Sequence, residues 1–220
     1  MKTNRLVVAI PSGQEWSADF GMALVFMTNY LAAHPEINGK VTQLRVHNKR
    51  GSILPNMRQA LVEMALEGGA THLLFLDSDQ TFPADLVHRL MGHQKMVVAA
   101  NIVTKSFPAN FTARKKGNVP VVTTRESKGL EQVWRVGTGV MLLDLRLFRR
   151  EGMRERPWFT PRWSEETGDY VGEDWAFCER LEAAGVPIFV DHDVSREVGH
   201  VGKMEYTYDL VEGVQDAQGF

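Results

Sequence analysis

A chain of 220 residues with 44% hydrophobic and 24% charged side chains can bury one sizeable core, which excludes a disordered or fibrous polypeptide. The formal net charge of −2 excludes a global basic field, so general nucleic-acid binding is not the expected main activity. The single cysteine, Cys178, excludes an intrachain disulfide or a cysteine metal framework and suits a reducing compartment. The apolar run after Arg5 stops at Pro11, too short for a signal peptide or a membrane span, so a soluble, cytoplasmic protein is expected.

Apolar runs alternate with helical patterns. That pattern predicts an α/β protein: a mostly parallel, Rossmann-like central sheet with helices on both faces. Residues 6–10 read as a buried first strand and 18–33 as a helix. A second strand is expected over 41–47, then a helix over 55–66 stopped by Gly68-Gly69. Residues 72–76 form a third, very apolar strand. A helix over 83–91 would carry Pro83 in its first turn, with Asp85 favourable to the dipole, and 96–100 is a fourth strand. From Phe107 to Lys128 the chain is polar and basic and reads as a loop or hairpin. Strands are expected at 132–136 and 140–143, separated by Gly137-Thr138-Gly139. An irregular charged stretch, 149–167, precedes a helix over 173–184 stopped by Gly185, a strand over 186–190, and a polar tail. With no linker in sight, one domain over 1–220 is expected, with a nucleotide-binding half to about residue 104 and an acceptor-binding half from about 105.

Four features carry chemistry. The strand Leu73-Leu74-Phe75-Leu76 ends in Asp77-Ser78-Asp79, two carboxylates spaced by one residue at a strand's carboxyl end. Such a pair can hold a hard divalent cation, Mn²⁺ or Mg²⁺, against substrate phosphates, although Asp and Ser are also common in plain turns. Glu173 and Asp174 open a helix. They complement its dipole, and Asp174 is also placed to act as a general base, with Trp175 beside an acceptor or simply buried. His200 stands between Gly199 and Val201-Gly202 and is either a metal ligand or a loop histidine. Arg58, early in its helix, is suited to a diphosphate or to the open surface, and Pro11-Ser12-Gly13 gives a tight turn beside a nucleoside.

In this order, VVAIPSG, NMRQALVEMALEGGATHLLFLDSD, VGTGVMLLD, GEDWAFCERLEAAG and the final His-Val-Gly resemble family-2-like glycosyltransferases of the glycosyltransferase-A fold, in particular the short stand-alone type of phages and bacteria. The resemblance implies a metal-dependent, inverting sugar transfer from a nucleotide-sugar donor, a UDP-sugar foremost, in the bacterial or host cytoplasm. It implies a donor site of Pro11, Ser12, Arg58, Asp77, Ser78 and Asp79. It also implies Asp79 and His200 as metal ligands with Asp77 reaching the ribose or the metal, Asp174 as the base, and Glu173, Trp175, Gly137 and Thr138 on the acceptor side. An acid that often reads the nucleobase is replaced by Val46-His47-Asn48, where the Asn48 amide is the substitute.

Two basic stretches bear on the acceptor: Arg114, Lys115, Lys116, Arg125 and Lys128, and then Arg146, Arg149, Arg150, Arg154, Arg156 and Arg162 with Trp158, Phe159 and Trp163 interleaved. Arginines with aromatics suit a polyanion whose bases stack, so a hydroxylated or hydroxymethylated pyrimidine in phage DNA is one expected acceptor. A glycan or small-molecule acceptor, or a non-catalytic nucleotide- or sugar-binding module, are the alternatives.

Overall fold

The computed structural model describes residues 3–106 and 108–202. Phe107 and the polar tail from Tyr206 lie outside the described residues. Strands are β1 (Asn4–Ser12), β2 (Glu36–Ile37), β3 (Lys40–Arg50), β4 (His72–Leu76), β5 (Gln80–Thr81), β6 (Val97–Ala99), β7 (Arg114–Lys115), β8 (Val119–Pro120), β9 (Leu130–Val133), β10 (Val140–Asp144), β11 (Arg162–Ser164), β12 (Asp169–Val171), β13 (Ile188–Asp191) and β14 (Gly199–His200). Helices are α1 (Ala18–Ala33), α2 (Leu54–Glu67), α3 (Leu86–Gly92), α4 (Glu173–Ala183) and α5 (His192–Ser195).

Eight strands form one sheet in the order β2-β3-β1-β4-β10-β6-β13-β9. Strands β3, β1, β4, β6 and β13 run the same way, while β2, β10 and β9 run against them. The expected α/β class and mostly parallel sheet are therefore found, with strands from both halves of the chain sharing it. The two-residue period of the strands sorts the core into two layers. Val7, Ala9, Leu73, Phe75, Met141 and Leu143 face α2 and α4, joining Leu61, Val62, Phe177 and Leu181. Their neighbours Leu6, Val8, Ile10, Leu74, Leu76 and Leu142 face α1 and α3, joining Phe20, Met27, Leu86 and Leu90.

Local signals account for most boundaries. The Ser17 side chain caps α1 by accepting from the Phe20 N–H, and α1 spans the expected residues. Gly69 and Gly185 take positive φ of 67° and 66° just past α2 and α4, where a Cβ would be strained. Three expectations need correction. Helix α3 starts at Leu86, not Pro83, because the Leu86 N–H bonds the Pro83 carbonyl and closes a separate turn. Strand β9 spans 130–133 rather than 132–136, because the Trp134 and Arg135 N–H groups leave the β13 ladder for the Arg114 carbonyl. Strand β13 begins at Ile188 because the Val186 N–H is still bonded to Leu181 at the end of α4. The basic stretch after Phe107 does contain a hairpin, β7–β8, and the irregular stretch before α4 leads into another, β11–β12.

Candidate active site

The site forms at the carboxyl edge of the parallel strands, the edge where open α/β sheets bind ligands. Strand β4 delivers Asp77 there. Because β10 is antiparallel and pairs Val140 with Leu76, the Gly137-Thr138-Gly139 segment meets the same edge, and the Asp77 N–H bonds the Gly139 carbonyl at 2.9 Å. The Gln80 N–H closes the Asp77-Ser78-Asp79 turn on the Asp77 carbonyl at 3.0 Å. Gly139 makes this a close approach: a Cβ there would lie 2.9 Å from Ile102 Cδ1 and 3.1 Å from Asp77 Oδ2, so one of these side chains would have to shift.

Two charge clusters result. In the first, Arg58 enters from α2 and is only 2% exposed, with Nη2 3.0 Å from Asp77 Oδ1 and Nε 3.4 Å from Glu173 Oε1. Burial alone would weaken the guanidinium's charge, but Asp77, Glu173 and Asp174 outweigh it and raise its pKa. Arg58 thus ties α2, the end of β4 and the start of α4 together. It is neither a surface arginine nor an open phosphate hook, and only its buried Nη1 lacks a hydrogen-bond partner. Asp174 lies beside this cluster. Burial, reinforced by the Glu173 charge, pushes its carboxyl up to about 6. A general base in that range is ionised at neutral pH and still basic enough to take a proton.

In the second cluster, Asp79 is ion-paired with Lys105 and its Oδ1 lies 3.6 Å from His200 Nε2. Burial pushes the Asp79 carboxyl up, but His200 and Lys105 prevail and hold it at about 2. The Asp79 carboxylate facing it raises His200. His200 reaches this place because β14 pairs with β5, just after the Asp77–Asp79 turn, and the Val201 N–H bonds the Asp79 carbonyl. His200 Nδ1 lies 2.7 Å from the Val103 carbonyl, which only accepts, so Nδ1 carries a proton and Nε2 faces Asp79. An oxygen and a nitrogen donor facing each other are a pair that could hold a divalent cation such as Mn²⁺ or Mg²⁺. Among the described residues no group of three or more His, Cys, Asp and Glu converges as a cage, so such an ion would rest on these two donors and its substrate.

The other expected residues fall as follows. Ser12 is buried at the end of β1, where its Oγ accepts from Asn48 Nδ2 at 2.8 Å; the same Nδ2 donates to the Ile10 carbonyl, so the Asn48 amide donors are used inside the fold. Pro11 lies in β1 beside Lys49, and the Ser78 carbonyl accepts from the Ser17 N–H that begins α1. Thr138 is buried with its hydroxyl unpartnered, as are both amide atoms of Gln80, so this edge holds polar atoms that the protein itself does not satisfy. Trp175 lies under two guanidiniums, Arg135 at 5.1 Å and Arg114 at 5.8 Å from the ring centre. Lys105 and Gln80 went unnoticed in the sequence. Gln80 directly follows the acidic turn and was within reach, whereas Lys105 stands in a segment with no periodicity.

The arginine–aromatic stretch is largely structural, which corrects the expectation of a base-stacking surface. Trp158 and Phe159 belong to the core, with Phe159 stacked 4.5 Å from Phe177, and Trp163 remains exposed at 48%. Arg146 pairs with Asp144, Arg156 with Glu63 and Arg162 with Glu179, while Lys115 and Lys116 pair with Glu131 and Glu182.

No protein-family model matches the chain, and no curated protein matches it by sequence. Solved structures do. The catalytic domain of Drosophila β1,4-galactosyltransferase 7, in complex with xylobiose, superposes with a TM-score of 0.53 at 12% identity, covering 97% of this chain and 79% of that one. TarS 1–349 of S. aureus, in complex with UDP-GlcNAc, gives 0.51 at 10% identity over 95% of this chain, which spans 61% of TarS 1–349. A197 from STIV gives 0.50 at 15% identity, covering 94% of this chain and all of that one. At such identities the likeness is one of fold, and the chain has a glycosyltransferase-A-like fold. Among the described residues no helix is long and apolar enough to cross a membrane.

Proposed function

We propose that the protein is a glycosyltransferase that moves a sugar from a nucleoside diphosphate, UDP foremost, to an acceptor hydroxyl with inversion at the anomeric carbon. The observation that carries this is Asp174. It is a carboxyl raised to about 6 at the start of α4, beside a strand-end acid pair on the ligand-binding edge of the sheet. Asp77 accepts from the donor ribose, held in place by Arg58, and Pro11 and Ser12 border the nucleoside. Asp174 takes the acceptor O–H proton as the oxygen–carbon bond forms and the bond from carbon to the diphosphate breaks. A Mn²⁺ or Mg²⁺ on Asp79 and His200 supplies charge neutralisation to the departing nucleoside diphosphate. Trp175, Glu173, Gly137 and Thr138 border the acceptor. The pairing of Arg146, Arg156 and Arg162 with acids and the burial of Trp158 and Phe159 favour a glycan or small-molecule hydroxyl over a pyrimidine in DNA.

The test is a melting panel of nucleoside diphosphates and nucleotide sugars with and without Mn²⁺, followed by product analysis. A ligand at one hundred times its Kd adds about 2.7 kcal/mol, which for a domain of this size is a midpoint rise of roughly 5–10 °C. Asp79→Ala is expected to lose the metal-dependent part of the rise. Asp174→Asn is expected to keep the rise and lose transfer to water or acceptor. No rise and no turnover with any nucleotide would leave only the fold and reject the activity.

A further inference from the structure

We infer that Lys105 is a resident counter-cation of Asp79 that competes with the divalent metal, so that metal binding requires lysine release; this rests on Asp79 and His200 being the metal donors. The surroundings of the Asp79 carboxylate are fixed from several sides. The Val201 N–H holds the Asp79 carbonyl at 2.8 Å, and the Val103 carbonyl fixes the His200 ring at 2.7 Å. The segment that carries Lys105 is fixed as well. Val103 bridges Phe111, and the Thr104 N–H and Oγ1 bond the Asn110 carbonyl and N–H at 2.8 and 3.0 Å. Between these anchors the movable part is the four-carbon stem of Lys105, which reaches Asp79 past Gly202. A Cβ at Gly202 would lie 3.7 Å from Lys105 Cδ, an ordinary contact, so the stem passes directly over this glycine.

The energetics favour exchange. Both side chains of the Lys105–Asp79 pair are 38% exposed, and an ion pair so accessible to water is worth about 1 kcal/mol or less. Among the described residues the ammonium engages Asp79 alone, at Oδ2, whereas His200 Nε2, 3.6 Å from Asp79 Oδ1, can also donate to a metal. A divalent ion therefore uses two donors and twice the charge where the lysine uses one of each. It wins the place, but its apparent affinity is lowered by the fraction of protein in which the lysine holds Asp79.

The experiment titrates Mn²⁺ alone into the wild type, Lys105→Met, Lys105→Arg, Asp79→Ala and the Lys105→Met/Asp79→Ala double variant, reading free Mn²⁺ by its magnetic resonance signal. Metal-free melting curves check the fold. Lys105→Met, which keeps the stem and removes the charge, is expected to bind Mn²⁺ about two- to fivefold more tightly. Lys105→Arg is expected to stay near the wild type, and both Asp79→Ala proteins to lose the site. Equal affinity in the wild type and Lys105→Met, with loss in Asp79→Ala, overturns the competition and leaves the metal site standing. Tighter binding that survives in the double variant overturns it too, because the lysine would then act away from Asp79. No Mn²⁺ binding in any protein overturns both the competition and the metal reading.

Discussion

Arg58 Nη2 lies 3.0 Å from Asp77 Oδ1 and 3.1 Å from Oδ2, joining the early part of α2 to the end of β4 through a guanidinium that is almost wholly buried. The same side chain lies 5.3 Å from the Phe75 ring centre and bonds Glu173 at the start of α4. One cation therefore faces acids from two other elements, one of them Glu173, the neighbour of Asp174 in the chain.

Removing that cation leaves two part-buried carboxylates without their partner. Arg58→Met is expected to cost about 3–5 kcal/mol of unfolding free energy, measured by urea denaturation at pH 7. Arg58→Lys keeps the charge but loses the fork that reaches Asp77 and Glu173 together, and is expected to recover only part of the loss. If Arg58→Met stays within about 1 kcal/mol of the wild type, the guanidinium is not what holds the acids.

The Asp174 carboxyl gives a pH signature with two signs. As a base it works when ionised, so kcat/KM is expected to rise with pH through about 6 on its acidic limb. For stability the direction reverses. Its folded pKa lies above the ordinary aspartate value of 3.8, so the folded state holds the proton more tightly and this group's contribution falls as pH rises between those values. Asp174→Asn is therefore expected to abolish transfer while stabilising the fold at pH 7 by up to about 3 kcal/mol. An acidic limb that persists in residual Asp174→Asn activity would assign it to another group.

Much of the frame was legible in the sequence because the buried strands are apolar runs and glycines mark the helix ends, as at Gly69 and Gly185. The strand-end acids were equally visible, since β4 stops being apolar at Asp77. Partnership was not visible. Helical spacing puts Arg58 on a face of α2 but does not say that Asp77 and Glu173 lie opposite. Nor does it say that Trp158 turns inward, where its Nε1–H bonds the Met153 carbonyl at 2.8 Å. The antiparallel direction of β10 also carries no local signal, yet it places Gly139 against Asp77.

Gly139→Ala tests that last contact. The new methyl would meet Ile102 Cδ1, which can yield, and Asp77 Oδ2, which is held by Arg58. A modest stability loss of about 1–2 kcal/mol is expected by overpacking, with a larger fall in turnover as Asp77 is displaced. Wild-type turnover in Gly139→Ala would show that the Asp77 carboxylate is free to move without consequence.

Gly199 offers a way to disturb His200 without touching it. A Cβ at Gly199 would lie 2.5 Å from Thr81 Oγ1, the same oxygen that accepts the Gly199 N–H at 3.1 Å across the β14–β5 pair. Gly199→Ala must therefore break this hydrogen bond or push β14 away from β5, at an expected cost of about 1–3 kcal/mol. Since His200 is the next residue of the same two-residue strand, displacement would withdraw Nε2 from Asp79 and weaken Mn²⁺ binding. Adding Thr81→Ala removes the obstructing oxygen. The double variant is expected to regain metal affinity relative to Gly199→Ala, even though the Gly199 N–H loses its partner. If Gly199→Ala destabilises the protein but binds Mn²⁺ as the wild type does, β14 is a structural clip and His200 is not among the metal's donors.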